Sequence, residues 1–199
     1  MRKVRVDITQ LARLSAAVLV LISCDRTSSV TGLGSPVSVS RALSAAAKVT
    51  RITGGGTTTF GVDLDGDGDI DGSHFGFAAV IAADGSAHGH FTCLMAGNAN
   101  FLGLRLMAVQ GTVTHGSADG RSFGGIATVK VLNAFGPGQS SIFSGIAYSV
   151  SVTPGGPGTG TMQLTVFGIF DGVAGDVAPG NGNYDLAVET VTHGGIAVD

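Results

Sequence analysis

The residues best suited to chemistry gather in one short stretch. Asp63, Asp65, Asp67, Asp69 and Asp71 alternate with Leu64, Gly66, Gly68 and Ile70, which places five carboxylates within nine residues. Like charges so close repel, and a divalent cation with a preference for oxygen relieves the repulsion. Calcium is the cofactor this pattern implies. The same residues also suit a solvated acidic hairpin loop built from Asx turns, which needs no ion. His88 and His90, with Cys93 close by, are the other candidate ligands. Strand geometry separates them: His88, His90, Thr92 and Leu94 share one face, and Gly89, Phe91, Cys93 and Met95 share the other. Cys93 is therefore expected in the core as a small apolar residue, with the two histidines facing solvent. Gly54-Gly55-Gly56 lacks the lysine and helix of a phosphate loop. No serine sits in a G-x-S-x-G elbow. The expectation is a non-enzymatic chain with no catalytic residues. A metal-dependent hydrolase using His88 and His90 is an alternative that needs a third ligand on their face.

Residues 63–74 read D-x-D-x-D-G-x-I-D-x-x-H, which resembles the calcium loop of EF-hands, dockerins and thrombospondin-type repeats. The resemblance implies carboxylate donors at Asp63, Asp65 and Asp67, a sharp turn at Gly68, a backbone carbonyl from Asp69 and a water-mediated contact from Asp71. Ile70 matches the apolar eighth position. The twelfth position departs from the pattern, because His74 stands where a bidentate acid is expected. Imidazole is a poor ligand for a hard cation. The binding expected is therefore weak, about 10⁻⁴ to 10⁻³ M, as in extracellular modules. The flanks, 57–62 and 75–81, read as strands, so the loop joins two strands and not two helices.

The elements that would position this loop are strands. Phe75, Phe77, Ala79 and Ile81 repeat every second residue, as do Tyr148, Val150 and Val152, and Met162, Leu164 and Val166. Period two marks a half-buried strand. Turn signals punctuate the runs at Gly54-Gly55-Gly56, Asp84-Gly85, Asp119-Gly120, Gly136-Pro137-Gly138, Pro154 to Gly158 and Pro179 to Asn183. No stretch sustains a helical period. The spacing predicts an all-β, glycine-rich antiparallel domain of roughly eight to ten strands. A two-sheet sandwich is the preferred closure, and a barrel is the other one that protects the edges.

The amino terminus carries different information. Arg2, Lys3 and Arg5 precede an apolar run over 11–22, too short to span a bilayer comfortably, so residues 1–23 read as a signal peptide. The run ends in Leu21-Ile22-Ser23-Cys24, which resembles the bacterial lipobox. The resemblance implies cleavage before Cys24, acylation of its thiol (palmitate among the acyl groups) and attachment to the membrane. Each buried CH₂ of such chains adds roughly 0.8 kcal/mol. Cys93 is then left without a disulfide partner, since the chain has 2 cysteines. Residues 24–47, rich in Ser, Thr, Gly and Val, read as the acylated Cys24 and a flexible tether. Residues 48–199 read as a single β-domain.

With 33 Gly, 10 Phe and no Trp, the composition fits an all-β domain with a real core. The net charge of −3 includes a leader that carries +3, so the chain from Cys24 onward carries −6. All but one unit of that excess lies in the aspartate stretch. A chain without a basic patch makes nucleic acid an unsuitable partner.

The order of several landmarks resembles the post-COAP type of β-domain found in exported bacterial proteins. These are Thr53 to Gly56 ending the first strand, Phe75-Gly76-Phe77, Asp84-Gly85 before Gly89-His90-Phe91, Gly145 and Tyr148 before a Gly/Pro turn, and the closing Gly194-Gly195-Ile196. The departures are Thr159-Gly160-Thr161, where an acid is expected, and an aspartate loop that looks inserted. The resemblance implies an extracytoplasmic β-domain and carries no activity to this chain. The reading that results is a lipid-anchored domain of the cell envelope, periplasmic or on the surface, or secreted if Cys24 is not acylated. It has a structural or binding role, with calcium stabilising the aspartate loop. A calcium-dependent module recognising glycan or protein is the alternative.

Overall fold

The computed structural model describes residues 49–63, 68, 70–101, 104–132, 138–173 and 175–199, with side chains left aside at 96–101 and 104–106. The signal segment, Cys24 and the tether lie outside these residues, as do Asp65, Asp67 and Asp69. The described residues fall in the compact unit Leu43–Asp199.

Alternation of apolar and polar residues becomes nine antiparallel strands, within the range the spacing predicts. They are β1 (Val49–Thr59), β2 (Ser73–Ala82), β3 (Ser86–Phe101), β4 (Leu104–Gly116), β5 (Ser122–Leu132), β6 (Ser140–Thr153), β7 (Thr161–Phe167), β8 (Asn183–Asp185) and β9 (Glu189–Val198). No helix occurs among the described residues. The strands form one sheet in the order β6-β5-β4-β3-β2-β1-β9-β7-β8. A further pairing of β6 with β7 brings the ends together, so the sheet is ring-like. Closure is thus within one sheet and not through a second, facing sheet.

The far edge of β7 is shared. At one end Thr161 and Met162 pair with Thr190 and Glu189 of β9. At the other, Thr165, Val166 and Phe167 pair with Asp185, Tyr184 and Asn183 of β8.

One face of every strand packs inward. On β2, Ser73, Phe75, Phe77, Ala79 and Ile81 are buried, while His74 is exposed and Gly76, Ala78 and Val80 are partly so. Fully burying one such apolar side chain contributes about 1.5–3 kcal/mol, and the core cluster draws on every long strand. Its centre is a run of aromatic rings: Phe75 to Phe77 at 5.8 Å, Phe77 to Phe123 at 5.0 Å, Phe123 to Phe91 at 5.9 Å and Phe91 to Tyr148 at 5.2 Å between centroids.

Glycines make room for these rings. A Cβ at Gly54 would lie 2.4 Å from Cζ of Phe77, and one at Gly111 would lie 2.4 Å from Cε1 of Tyr148. This corrects the reading of Gly54-Gly55-Gly56 as a strand-ending turn. The three glycines lie inside β1, which continues to Thr59. β1 in turn ends before the expected limit of 62, and Gly61 and Val62 form a bend.

The outward face is mixed, with Leu94, Ile126 and Ile142 exposed among polar residues. Thr92, Gln110, Thr112, Thr128 and Lys130 are exposed across β3, β4 and β5, and all five histidines lie on the outside.

Candidate functional site

The aspartate stretch forms the loop between β1 and β2. Its base is tied by backbone bonds: Phe60 N–H donates to the Asp71 carbonyl at 2.9 Å, and Asp71 N–H donates to the Val62 carbonyl at 3.3 Å. The Thr59 hydroxyl also donates to the Asp71 carbonyl at 3.3 Å. Gly72 passes so close to β1 that a Cβ there would lie 2.0 Å from the Thr58 carbonyl oxygen. Within the loop, Gly68 N–H donates to Oδ2 of Asp63 at 3.0 Å. Gly68 has φ +102, a left-handed conformation that favours glycine. The first carboxylate therefore folds back on the sixth residue.

Asp71 is buried at 4% exposure, whereas Ile70 beside it is 58% exposed. His74, at the twelfth position, stands on the exposed face of β2 beside Thr57 of β1. A set of carboxylate oxygens suits a hard cation, and His74 adds no oxygen to it.

Directly beyond the loop base the interior turns polar. Glu189, at the start of β9, is 0% exposed. Its Oε2 accepts from the Thr58 hydroxyl and its Oε1 from the Ser73 hydroxyl, the latter at 3.1 Å. Ser73 N–H donates to Oγ1 of Thr58 at 3.1 Å. Burial pushes the Glu189 carboxyl up to about 7, against the downward pull of Thr58 and Ser73. Cys93 on β3 is the free thiol of this neighbourhood and is buried, as its strand phase predicts. Burial raises its pKa far above the usual thiol value, the Glu189 charge adds to the rise, and a hydrogen bond with Ser73 opposes it.

Sequence reasoning missed Glu189. The signal was present: it lies two residues before Val191, in phase with the inward face, and it is the one glutamate of the chain.

A second acidic loop, 168–182, was read only as a turn at its Pro179 to Asn183 end. Asp171 accepts the backbone N–H groups of Gly180 and Gly182 at 2.6 and 3.0 Å. Asp176 accepts those of Gly172, Ala178 and Asp185 at 2.8, 3.0 and 3.3 Å. Burial works to raise the pKa of Asp176, and the three N–H donors outweigh it, so the carboxyl is held below its usual range. Asp185 accepts from the Thr165 hydroxyl at 2.6 Å and from the Asn181 amide at 2.7 Å. Phe170, at φ +61, seats its ring between Phe143 and Tyr184, with centroids at 5.3 and 6.3 Å.

His88 and His90 are exposed on β3, as expected. Among the described residues no three of His, Cys, Asp and Glu come together as metal ligands. On the outer face Gly76, Gly55 and Gly195 stand side by side across β2, β1 and β9. Gly55 and Gly195 border an open trough of about 620 Å³ whose lining carries no titratable group.

No protein-family model, curated protein or solved structure matches the chain. The resemblance to the post-COAP type of domain therefore stands on its glycine and aromatic landmarks alone.

Proposed function

We propose that the chain is a lipid-anchored domain of the bacterial cell envelope, with a structural or binding role and a calcium loop between β1 and β2. The observation that carries the calcium part is the bond from Gly68 N–H to Asp63, made at a left-handed glycine. It joins the first and sixth positions of a D-x-D-x-D-G loop, the place where the calcium-loop pattern needs its sharp turn. Asp63, Asp65 and Asp67 would hold the ion with side-chain oxygens, Asp69 with its carbonyl, and Asp71 through water. The ion supplies charge neutralisation to a crowded acidic loop and no reaction. Acylated Cys24 holds the domain at the membrane.

Two measurements test the reading. Labelled palmitate should enter the full chain and fail to enter Cys24→Ser. Calorimetry of the full chain should give calcium binding in the range of about 10⁻⁴ to 10⁻³ M. Absence of label in the parent chain removes the anchor, and absence of heat at millimolar calcium removes the loop's role. Capture of glycan or protein only in the presence of calcium would favour a recognition module over a purely structural one.

A further inference from the structure

Glu189 is the single glutamate in 199 residues, and it sits where the ring closes. It stands opposite Met162 in one of the two residue pairs that join β9 to β7. The groups facing it are the Thr58 hydroxyl from β1, the Ser73 hydroxyl and backbone N–H from β2 and the Cys93 thiol from β3. Met162 from β7 is its ladder partner. Asp71, two residues before Ser73, is the other buried acid, and no Lys, Arg or His is buried among the described residues. An ionised Glu189 therefore has two hydroxyls and one backbone N–H as donors but no buried counter-charge, which is a costly arrangement at full burial.

The hydrogen bonds close fully only for the neutral acid. Thr58 has one hydroxyl proton, and its Oγ1 lies within reach of both Glu189 Oε2 and the Ser73 carbonyl, the latter at 3.1 Å. With Glu189 protonated, its O–H donates to Oγ1 of Thr58, the Thr58 hydroxyl donates to the Ser73 carbonyl, and the Ser73 hydroxyl donates to Oε1. With Glu189 ionised, the Thr58 proton must turn to Oε2, and the Ser73 carbonyl loses it.

We infer that Glu189 is a protonation-operated latch: as the neutral acid it ties β9 to β1 and β2, and on losing its proton it loosens the seam between β7 and β9. Its rise to about 7 places the change near neutrality. The sign follows from linkage. The carboxyl binds its proton more tightly in the closed ring than in the opened one. The stabilisation is therefore complete below the ordinary carboxylate range and is lost as pH rises through about 7.

Because the chain has one glutamate, carbon-13 labelling of the glutamate carboxyl in the full chain gives a single resonance to titrate. It should titrate near neutrality. Over the same interval, amide exchange at Thr161, Met162 and Thr190 should quicken relative to the β4–β5 amides. The expected relative change is on the order of tenfold from about pH 6 to about pH 9. Glu189→Gln should keep the seam slow throughout. A resonance titrating in the usual carboxylate range overturns the latch, as does seam exchange that keeps step with β4–β5. If Glu189→Gln does not fold, these two readings on the parent chain still decide.

Discussion

The molecule carries two acidic, glycine-rich loops, and they use their carboxylates differently. In 168–182 the carboxylates serve as acceptors for the loop's own backbone: Asp171 takes two N–H groups and Asp176 takes three. Each bond satisfies a donor that the irregular chain cannot place in a ladder. The β1–β2 loop packs five carboxylates into nine residues. There Gly68 N–H donates to Asp63 in the same way. Its five carboxylates crowd nine residues, whereas Asp171 and Asp176 of 168–182 are spread over a longer stretch. Density of charge, and not the presence of aspartate and glycine, separates a loop that holds its own shape from the one in which we propose a cation.

Several perturbations should widen or erase this difference. The largest effect is expected in the self-sufficient loop. Asp176→Ala strands three backbone donors, at about 1–3 kcal/mol in all, which for a domain of this size lowers the melting temperature by several degrees. Calcium should not restore the loss. If calcium restores it, the two loops are of one kind.

Next in size is calcium itself. At about ten times the dissociation constant, a ligand bound by the folded state alone adds about 1.4 kcal/mol. The full chain should show a matching rise in melting temperature, and Asp63→Ala should lose it while changing little in calcium-free buffer. His74→Glu supplies the missing acid at the twelfth position and should bind calcium more tightly than the parent chain in calorimetry. An unchanged affinity would mean that the loop does not follow the calcium-loop pattern at its end.

The smallest expected effect is on acid titration. Asp176 is held below its usual range, so its contribution is present above the ordinary carboxylate range and is lost as pH falls through the lowered value. Amide protection at Ala178 and Asp185 should therefore survive mild acid and fail only in strong acid. The direction is opposite to that of Glu189, so one pH series with site-resolved exchange separates the two.

The strands were legible because burial on one face enforces a period of two. The same rule placed His88 and His90 outside and Cys93 inside, between Phe91 and Met95. Ring closure was not legible: β6 and β7 meet as a hairpin across the Pro154 to Gly158 turn, but the pairing of β1 with β9, from the far end of the domain, leaves no local mark in the sequence. Gly54-Gly55-Gly56 misleads because glycine serves turns and close packing alike. At Gly54 it serves the ring of Phe77, a long-range need. Glu189 was overlooked because an acid reads as a surface residue, although its period-two phase with Val191 already pointed it inward. The role of Asp171 and Asp176 lay hidden because their partners are backbone groups, which the sequence does not distinguish.

The difference between the loops is tested most directly by a calcium titration of the full chain followed at the amide resonances of Gly68, Asp71, Gly172, Gly180 and Gly182. The account predicts that Gly68 and Asp71 shift at millimolar calcium while Gly172, Gly180 and Gly182 hold still. A still Gly68, or equal shifts in both loops, would contradict it.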